Sequence, residues 1–315
     1  MDAQSKGRLI FEAAEQLGWS NPAEVAEFAK RLEVGLPAED ELSVIFHWLG
    51  QCRLAHKLDQ FPYPPGVWEQ YRVPDLLAVF DVGGQHYPVL IEVKTSVDDA
   101  LSWKPDYLSS LQRYASLLNL PLLVGWKHRT FWTLFEAKHF RKATTNLRIS
   151  FIDAMKQNLL GILAGDFSFS FRPGTGMHLR MQKLKETTDG FESVIKEAYF
   201  SNADGRRLGE VGGALQFFLC IDQEPSVVET DTEVLQSFVI STDQQAEFAH
   251  RALVIILDTF TETQQAFSWR QILMQNRLPH LSDGPRQAAR NALDAGFLGL
   301  VVEQQPQTIP EFLVP

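Results

Sequence analysis

The chain is poor in cysteine, with two among 315 residues. Cys52 and Cys220 lie in unrelated contexts, which excludes a Cys-type zinc module. No apolar run approaches the roughly 20 residues that span a bilayer; the longest, PLLVGW and ALVIILDTF, are soon interrupted. The opening residues, MDAQSKGRLIFEAAEQLGW, show neither a charged region followed by an apolar one nor a cleavage site. A cytoplasmic setting without membrane contact is therefore expected. There is no internal repeat and no low-complexity tract. Gly174 and Gly176 in RPGTGM lack the GK[ST] ending of a phosphate loop and read as turn residues. The histidines show no HExxH or other paired ligand spacing.

Positive charge is also scarce. Lys plus Arg total 29 against 39 Asp plus Glu, a formal net charge of -10. A protein that binds nucleic acid over its whole surface has the opposite sign, so any polyanion must be held locally. The deficit is uneven. Residues 1–100 carry 8 basic and 16 acidic side chains, residues 101–150 carry 8 and 2, and residues 211–250 carry 0 and 7.

What the chain does have is core-forming material, 45% hydrophobic residues, enough for one large domain or two to three ordinary ones. GRLIFEAAEQLGW and NPAEVAEFAKRL read as helices, the second with Asn21 as N-cap and Pro22 at its first position. A third helix is expected after Pro37 through AEDELSVIFHWLGQCRLAHKLDQ, with Leu42, Ile45, Phe46, Leu49 and Cys52 as its buried stripe. From about residue 72 the period becomes strand-like: VPDLLAVFDV, a turn at Gly83 and Gly84, then HYPVLIEVKTS. A helix follows with Tyr107, Leu108, Leu111, Tyr114, Ala115 and Leu118 on one face, then strands PLLVGW and TFWTLFEA. This order gives an α/β fold, a mixed sheet covered by helices.

Further on, FIDAMKQNLLGIL reads as a helix, and FSFSFRPGTGMHLRMQK as a hairpin with Phe167, Phe169 and Phe171 on one side. Strand-like stretches ALQFFLCI, SVVET and LQSFVIS follow. From 244 the pattern returns to helices, QQAEFAHRALVIILDTF, SWRQILMQN and SDGPRQAARNALDAG, and ends in strands from FLGLVVEQQPQ. The expected division is 1–37 (helices), 38–145 (α/β core), 146–240 (mixed α+β) and 241–315 (helical).

The chemistry concentrates in VPDLLAVFDVGGQHYPVLIEVKTS. A hairpin turning at Gly83 to Gln85 pairs residues whose numbers sum near 167 or 169, which sets Asp75 opposite or one pair from Glu92 and Lys94. Because side chains alternate along a strand, Glu92 and Lys94 share a face, and Asp75 joins them there. Converging carboxylates repel unless a divalent cation lies between them. Their hard oxygen donors suit Mg²⁺ or Mn²⁺, and Lys94 is placed to stabilise developing charge or orient water. The chemistry expected is metal-assisted phosphodiester hydrolysis. A second acid-X-Lys triplet, Glu136-Ala137-Lys138 behind Pro105-Asp106, lacks paired strands, because Asp106 opens a helix.

Pro74-Asp75, sixteen residues, then Glu92-Val93-Lys94 at the end of an apolar strand resembles the PD-(D/E)XK nuclease superfamily, which includes restriction endonucleases and Holliday-junction resolvases. The resemblance spans roughly residues 38–137. It implies a restriction-endonuclease-like core, with Asp75 and Glu92 as metal ligands, the Val93 carbonyl as a third and Lys94 as the catalytic lysine. It also implies an accessory Glu on the preceding helix, Glu41 or Glu39, and Gln112 on the helix that follows. DNA is implied over RNA because most of the superfamily cleaves DNA, and RNA stays open. Homodimers are implied as well, because many relatives cut one strand per active site.

Local binding is expected from the basic segment, through Lys104, Arg113, Lys127, Arg129 and their neighbours Lys138, Arg141, Lys142 and Arg148. The C-terminal helices and strands resemble a winged helix, whose helix 283–295 would present Arg286 and Arg290 to a groove. Packing or dimerisation is the equal alternative for that region. The hairpin around Arg172, His178, Arg180, Lys183 and Lys185 is a further candidate contact. Two other functions fit the same residues: a catalytically silent nucleic-acid- or partner-binding protein, and a nuclease held by a regulatory partner, with acidic residues 211–250 as restraint.

Overall fold

The computed structural model describes residues 38–59, 70–209, 224–241, 250–251, 273 and 284–314. The helices expected in 1–37, the strand ALQFFLCI, Cys220 and most of the helices expected between 244 and 276 lie outside these residues.

Helix α1 occupies residues 38–49, and Leu42, Ile45, Phe46 and Leu49 form its buried face. It does not continue into CRLAHK. Gly50 takes a left-handed φ of 91° and turns the chain out of the helix. Cys52–Lys57 becomes strand β1, paired antiparallel with β2 (Leu76–Val82). His56 therefore lies on a strand. Cys52 is buried as expected, and burial raises its thiol pKa to about 12.

β2 and β3 (Gln85–Ser96) form the expected hairpin. Gly83 and Gly84, with φ of 62° and 82°, make the two-residue turn, whose positive φ at both positions glycine takes without strain. The register runs from Val82 opposite Gln85 to Leu76 opposite Ile91. After β4 (Ala100–Trp103), helix α2 (Pro105–Leu118) carries the chain to β5 (Leu122–His128), which pairs parallel with β3, and β6 (Phe131–Glu136) closes the sheet. The five-stranded order is β1-β2-β3-β5-β6, a mixed α/β sheet.

α1 covers one face, against Leu76, Ala78, Phe80, Ile91 and Leu123. α2 covers the other through Leu108, Leu111 and Ala115, against Leu90, Val124 and Trp126. Leu118, expected on that buried face, is exposed. Asp106 sits in the first turn of α2, as its sequence setting predicts. A smaller sheet, β4-β8-β7, adds β7 (Arg141–Lys142) and β8 (Leu147–Ser150).

FIDAMKQNLLGIL splits into α3 (Phe151–Lys156) and a π-turn at Leu160–Ala164, because Asn158 intervenes and its side chain caps the amides of Leu134 and Leu160. β9 (Phe167–Phe171) buries its three phenylalanines as the alternation predicts, but it does not pair with HLRMQK. Gly174, with φ of 86°, turns the chain, and β10 (Gly176–Thr187) leaves for another sheet. That sheet has the order β11-β10-β13-β12, with β11 (Gly190–Ser201), β12 (Ser226–Glu229) and β13 (Glu233–Val239).

β9 instead pairs with β14 (His250–Arg251) and with β15 (Leu298–Glu303). Residues 250–251 are thus a strand where a helix is expected. Helix α4 (Gly284–Asp294) precedes β15. Its Ala288, Ala289 and Ala292 join Phe297 and Leu298 in the same buried cluster as α1, the hairpin and β9. No helix among the described residues is long and apolar enough to cross a membrane.

Candidate active site

The hairpin ladder ends at Leu76 and Ile91, and the candidate residues lie just past it. Asp75 precedes β2 and Glu92 follows Ile91, so the two meet on one face at the open end of the strand pair. The Leu90 amide bonds to Pro121 O on the β5 side, so the next odd-numbered residues turn their peptide groups toward β2. The Val93 amide accordingly donates to Asp75 Oδ2 at 2.7 Å. Its carbonyl lies on that same side, because a strand residue directs both groups one way.

Glu92 is 2% exposed, an ionisable side chain buried beneath α2. Its Oε1 accepts from Lys94 Nζ and from the Tyr107 hydroxyl. Lys94 Nζ lies 5.4 Å from the centre of the Tyr107 ring and 6.0 Å from that of Trp103, and the Arg72 guanidinium lies 4.7 Å over Tyr107. Lys94 reaches the surface in a cleft of about 540 Å³, lined also by Ser102, Trp103, Lys104 and Tyr107.

Electrostatics follow from this crowding. Burial, then the charge of Glu92, raises the Asp75 carboxyl to about 7, against the pull of Lys94 and the Val93 amide. Burial works to lower the Lys94 pKa, but Glu92, Tyr107 and Asp75 outweigh it and keep the ammonium charged. Burial and the adjacent Glu92 raise the Tyr107 phenol, which stays a donor.

On α1, Glu39 rather than Glu41 faces this pair. Burial raises its pKa, Lys57 opposes that from 3.1 Å, the charge of Glu92 adds to the rise, and the charge of Glu39 in turn helps raise Asp75. Glu41 is used elsewhere, accepting from Trp132 Nε1 at 2.8 Å and Lys127 Nζ at 2.5 Å. Gln112 is exposed on α2. Tyr107 is a site residue that sequence reasoning missed, having counted it among apolar helix positions. Its only signal is its place in the first turn of the helix covering Glu92.

Several expected nucleic-acid contacts already have partners. Arg113 Nε donates to Gln70 O at 2.7 Å, and Arg129, with a left-handed φ of 56°, lies 3.9 Å from Asp99. Arg286 and Arg290 both approach Glu303 at 3.5 Å, and Arg286 also donates to Gly161 O, so these two arginines tie α4 to the body of the fold. Lys104 is exposed beside the cleft. In the β10 region, His178 bonds to Ser201 and Ser237, and Arg180 and Lys183 pair with Glu197 and Glu229.

Mg²⁺ or Mn²⁺ fits the donors present, which are hard carboxylate oxygens brought together against their own repulsion. Among the described residues no three His, Cys, Asp or Glu side chains converge as a metal cluster. Two carboxylates are therefore what the side chains offer, and further ligands must come from backbone and water.

No family model matches the sequence, and no curated protein matches it. Among solved structures, the chain is similar to Hjc, a Holliday junction resolvase from the archaeal hyperthermophile Archaeoglobus fulgidus, with 22% identity and a TM-score of 0.31 over 38% of this chain and 89% of the resolvase.

Proposed function

We propose that this chain is a divalent-metal-dependent nuclease with a PD-(D/E)XK, restriction-endonuclease-like core that hydrolyses phosphodiester bonds in DNA. The observation that carries the reading is the pairing of Asp75 with buried Glu92 at the open end of a hairpin, within reach of a charged lysine. Such a buried pair is costly to keep: burial first, and then the charge of Glu92, raises the Asp75 pKa to about 7.

In this reading Asp75, Glu92 and the Val93 carbonyl hold the cation. Bound there, Mg²⁺ or Mn²⁺ supplies Lewis-acid activation of water and neutralises charge on the phosphoryl group. Lys94 stays protonated beside Glu92 and presents its ammonium to the cleft, where it stabilises the charge that develops on the phosphoryl oxygens. Tyr107 holds the Glu92 carboxylate in one orientation through its hydroxyl.

The purified chain is expected to nick or degrade DNA with Mg²⁺ or Mn²⁺ and not with EDTA. Asp75→Ala, Glu92→Ala and Lys94→Ala each lower the rate by a factor on the order of 10² or more. If the chain cleaves no linear, circular, single-stranded or RNA substrate, and binds nucleic acid without metal and regardless of Lys94, it is a binding protein and the proposal fails.

A further inference from the structure

The lysines and arginines of the basic 101–150 segment divide by whether the fold has already used them. Arg113 is held by a backbone carbonyl, Lys127 by Glu41, and Lys138 lies 2.8 Å from Glu136. Arg141, Lys142 and Arg148 differ. All three are exposed, and none makes a side-chain hydrogen bond or ion pair among the described residues. Asp153 and His139 feel the charge of Arg141, but Asp153 is already held by Ser150 and Lys156.

Strand register sets the two arginines in a row. β7 pairs with β8 so that Arg141 lies opposite Arg148, and β8 pairs with β4 so that Arg148 lies opposite Ser102. Opposite residues share a face, and these three are exposed while Leu101, Trp103 and Ile149 are buried beneath them. Neighbouring strands are about 5 Å apart, and like charges set directly opposite destabilise a sheet. The fold therefore bears a repulsion on a face where none of its own acids pairs with either arginine. The row also leads somewhere: Ser102 on β4 and Lys104, just past the end of that strand, line the cleft that contains Lys94.

We propose that the exposed face of the β4-β8-β7 sheet is a phosphodiester-binding surface, which holds the sugar-phosphate backbone of a nucleic acid strand and directs it past Ser102 and Lys104 into the Lys94 cleft. The identity of the ligand rests on the nuclease reading. Guanidinium groups suit phosphate oxygens through paired hydrogen bonds, and such contacts fix position without reading sequence. The net charge of the whole chain does not oppose this, because the surface is local.

The test is binding of a labelled duplex to the full chain in EDTA, followed by anisotropy across a salt series. The Arg141→Gln/Arg148→Gln double variant is expected to bind roughly tenfold more weakly at low salt, with a slope of log affinity against log salt shallower by about two. Arg141→Lys/Arg148→Lys keeps the slope. Thermal melting of the glutamine variant stays at or above that of the parent chain, because a repulsion is removed. Parental affinity and slope in the glutamine variant overturn the proposal. If the parent cleaves DNA through Asp75, Glu92 and Lys94 while that variant binds unchanged, this surface alone is wrong. If the parent neither binds nor cleaves, the nuclease reading falls and takes the surface with it.

Discussion

Glu92 is the residue on which the site turns. Its carboxylate is buried, and Lys94 and Tyr107 both satisfy the same oxygen. Removing the phenol by Tyr107→Phe leaves a buried charge one donor short, which costs about 1.5–3 kcal/mol; chemical denaturation is the measurement. Asp75 gives a pH signature. Its folded pKa of about 7 lies above the ordinary aspartate value of 3.8, so the folded chain holds the proton more tightly than the unfolded one. The stability this contributes is complete below pH 4 and is lost as pH rises through 7. Melting of the metal-free chain should therefore fall from pH 5 to pH 8, and Asp75→Asn should flatten that slope. An unchanged slope in Asp75→Asn would contradict the burial ascribed to Asp75. The proximity of Asp75, Glu92 and Lys94 is legible in the sequence, because a two-residue glycine turn makes the pairing a matter of counting. Tyr107 is not, because a tyrosine fits an apolar helix face as well as a site.

At the scale of elements, what the sequence conveys depends on how local the determining force is. The hairpin and α2 follow from turn glycines and from periodicity, and both form as expected. CRLAHK reads as more helix because its spacing continues that of α1, and only the left-handed Gly50 and the free edge of β2 make it a strand. FSFSF shows its alternation, but its partner strand lies more than a hundred residues further on, at Leu298–Glu303, beyond the reach of local pattern. Close approach is similarly hidden until the elements pack. A Cβ on Gly161 would meet the backbone oxygen of Gln304 at 2.1 Å, at the junction of the π-turn with the segment after β15. Gly161→Ala should destabilise the protein by about 1–3 kcal/mol, read as a loss of melting temperature. A variant melting like the parent would show that this junction is loose.

For the whole molecule, charge and core are distributed differently. One buried cluster joins α1, the hairpin, β9, α4 and β15, so the C-terminal helix and strand brace the body of the fold, and Arg286 and Arg290 serve that bracing through Glu303. Arg141 and Arg148, which make no side-chain hydrogen bond or ion pair among the described residues, lie opposite each other on the β4-β8-β7 face instead, and Ser102, opposite Arg148, lines the cleft that holds Lys94. Under the proposed function a net charge of -10 is compatible with a polyanion substrate, because the binding would be local rather than spread over the whole surface. The proposed activity depends most on Asp75, Glu92 and Lys94 acting together on a phosphodiester. The most direct measurement is nicking of supercoiled plasmid by the full chain and by Lys94→Ala, in Mg²⁺ and in EDTA, with melting recorded for both. Mg²⁺-dependent nicking is expected from the parent, and its loss in a variant that stays folded. Equal nicking by both proteins, or nicking that persists in EDTA, would contradict it.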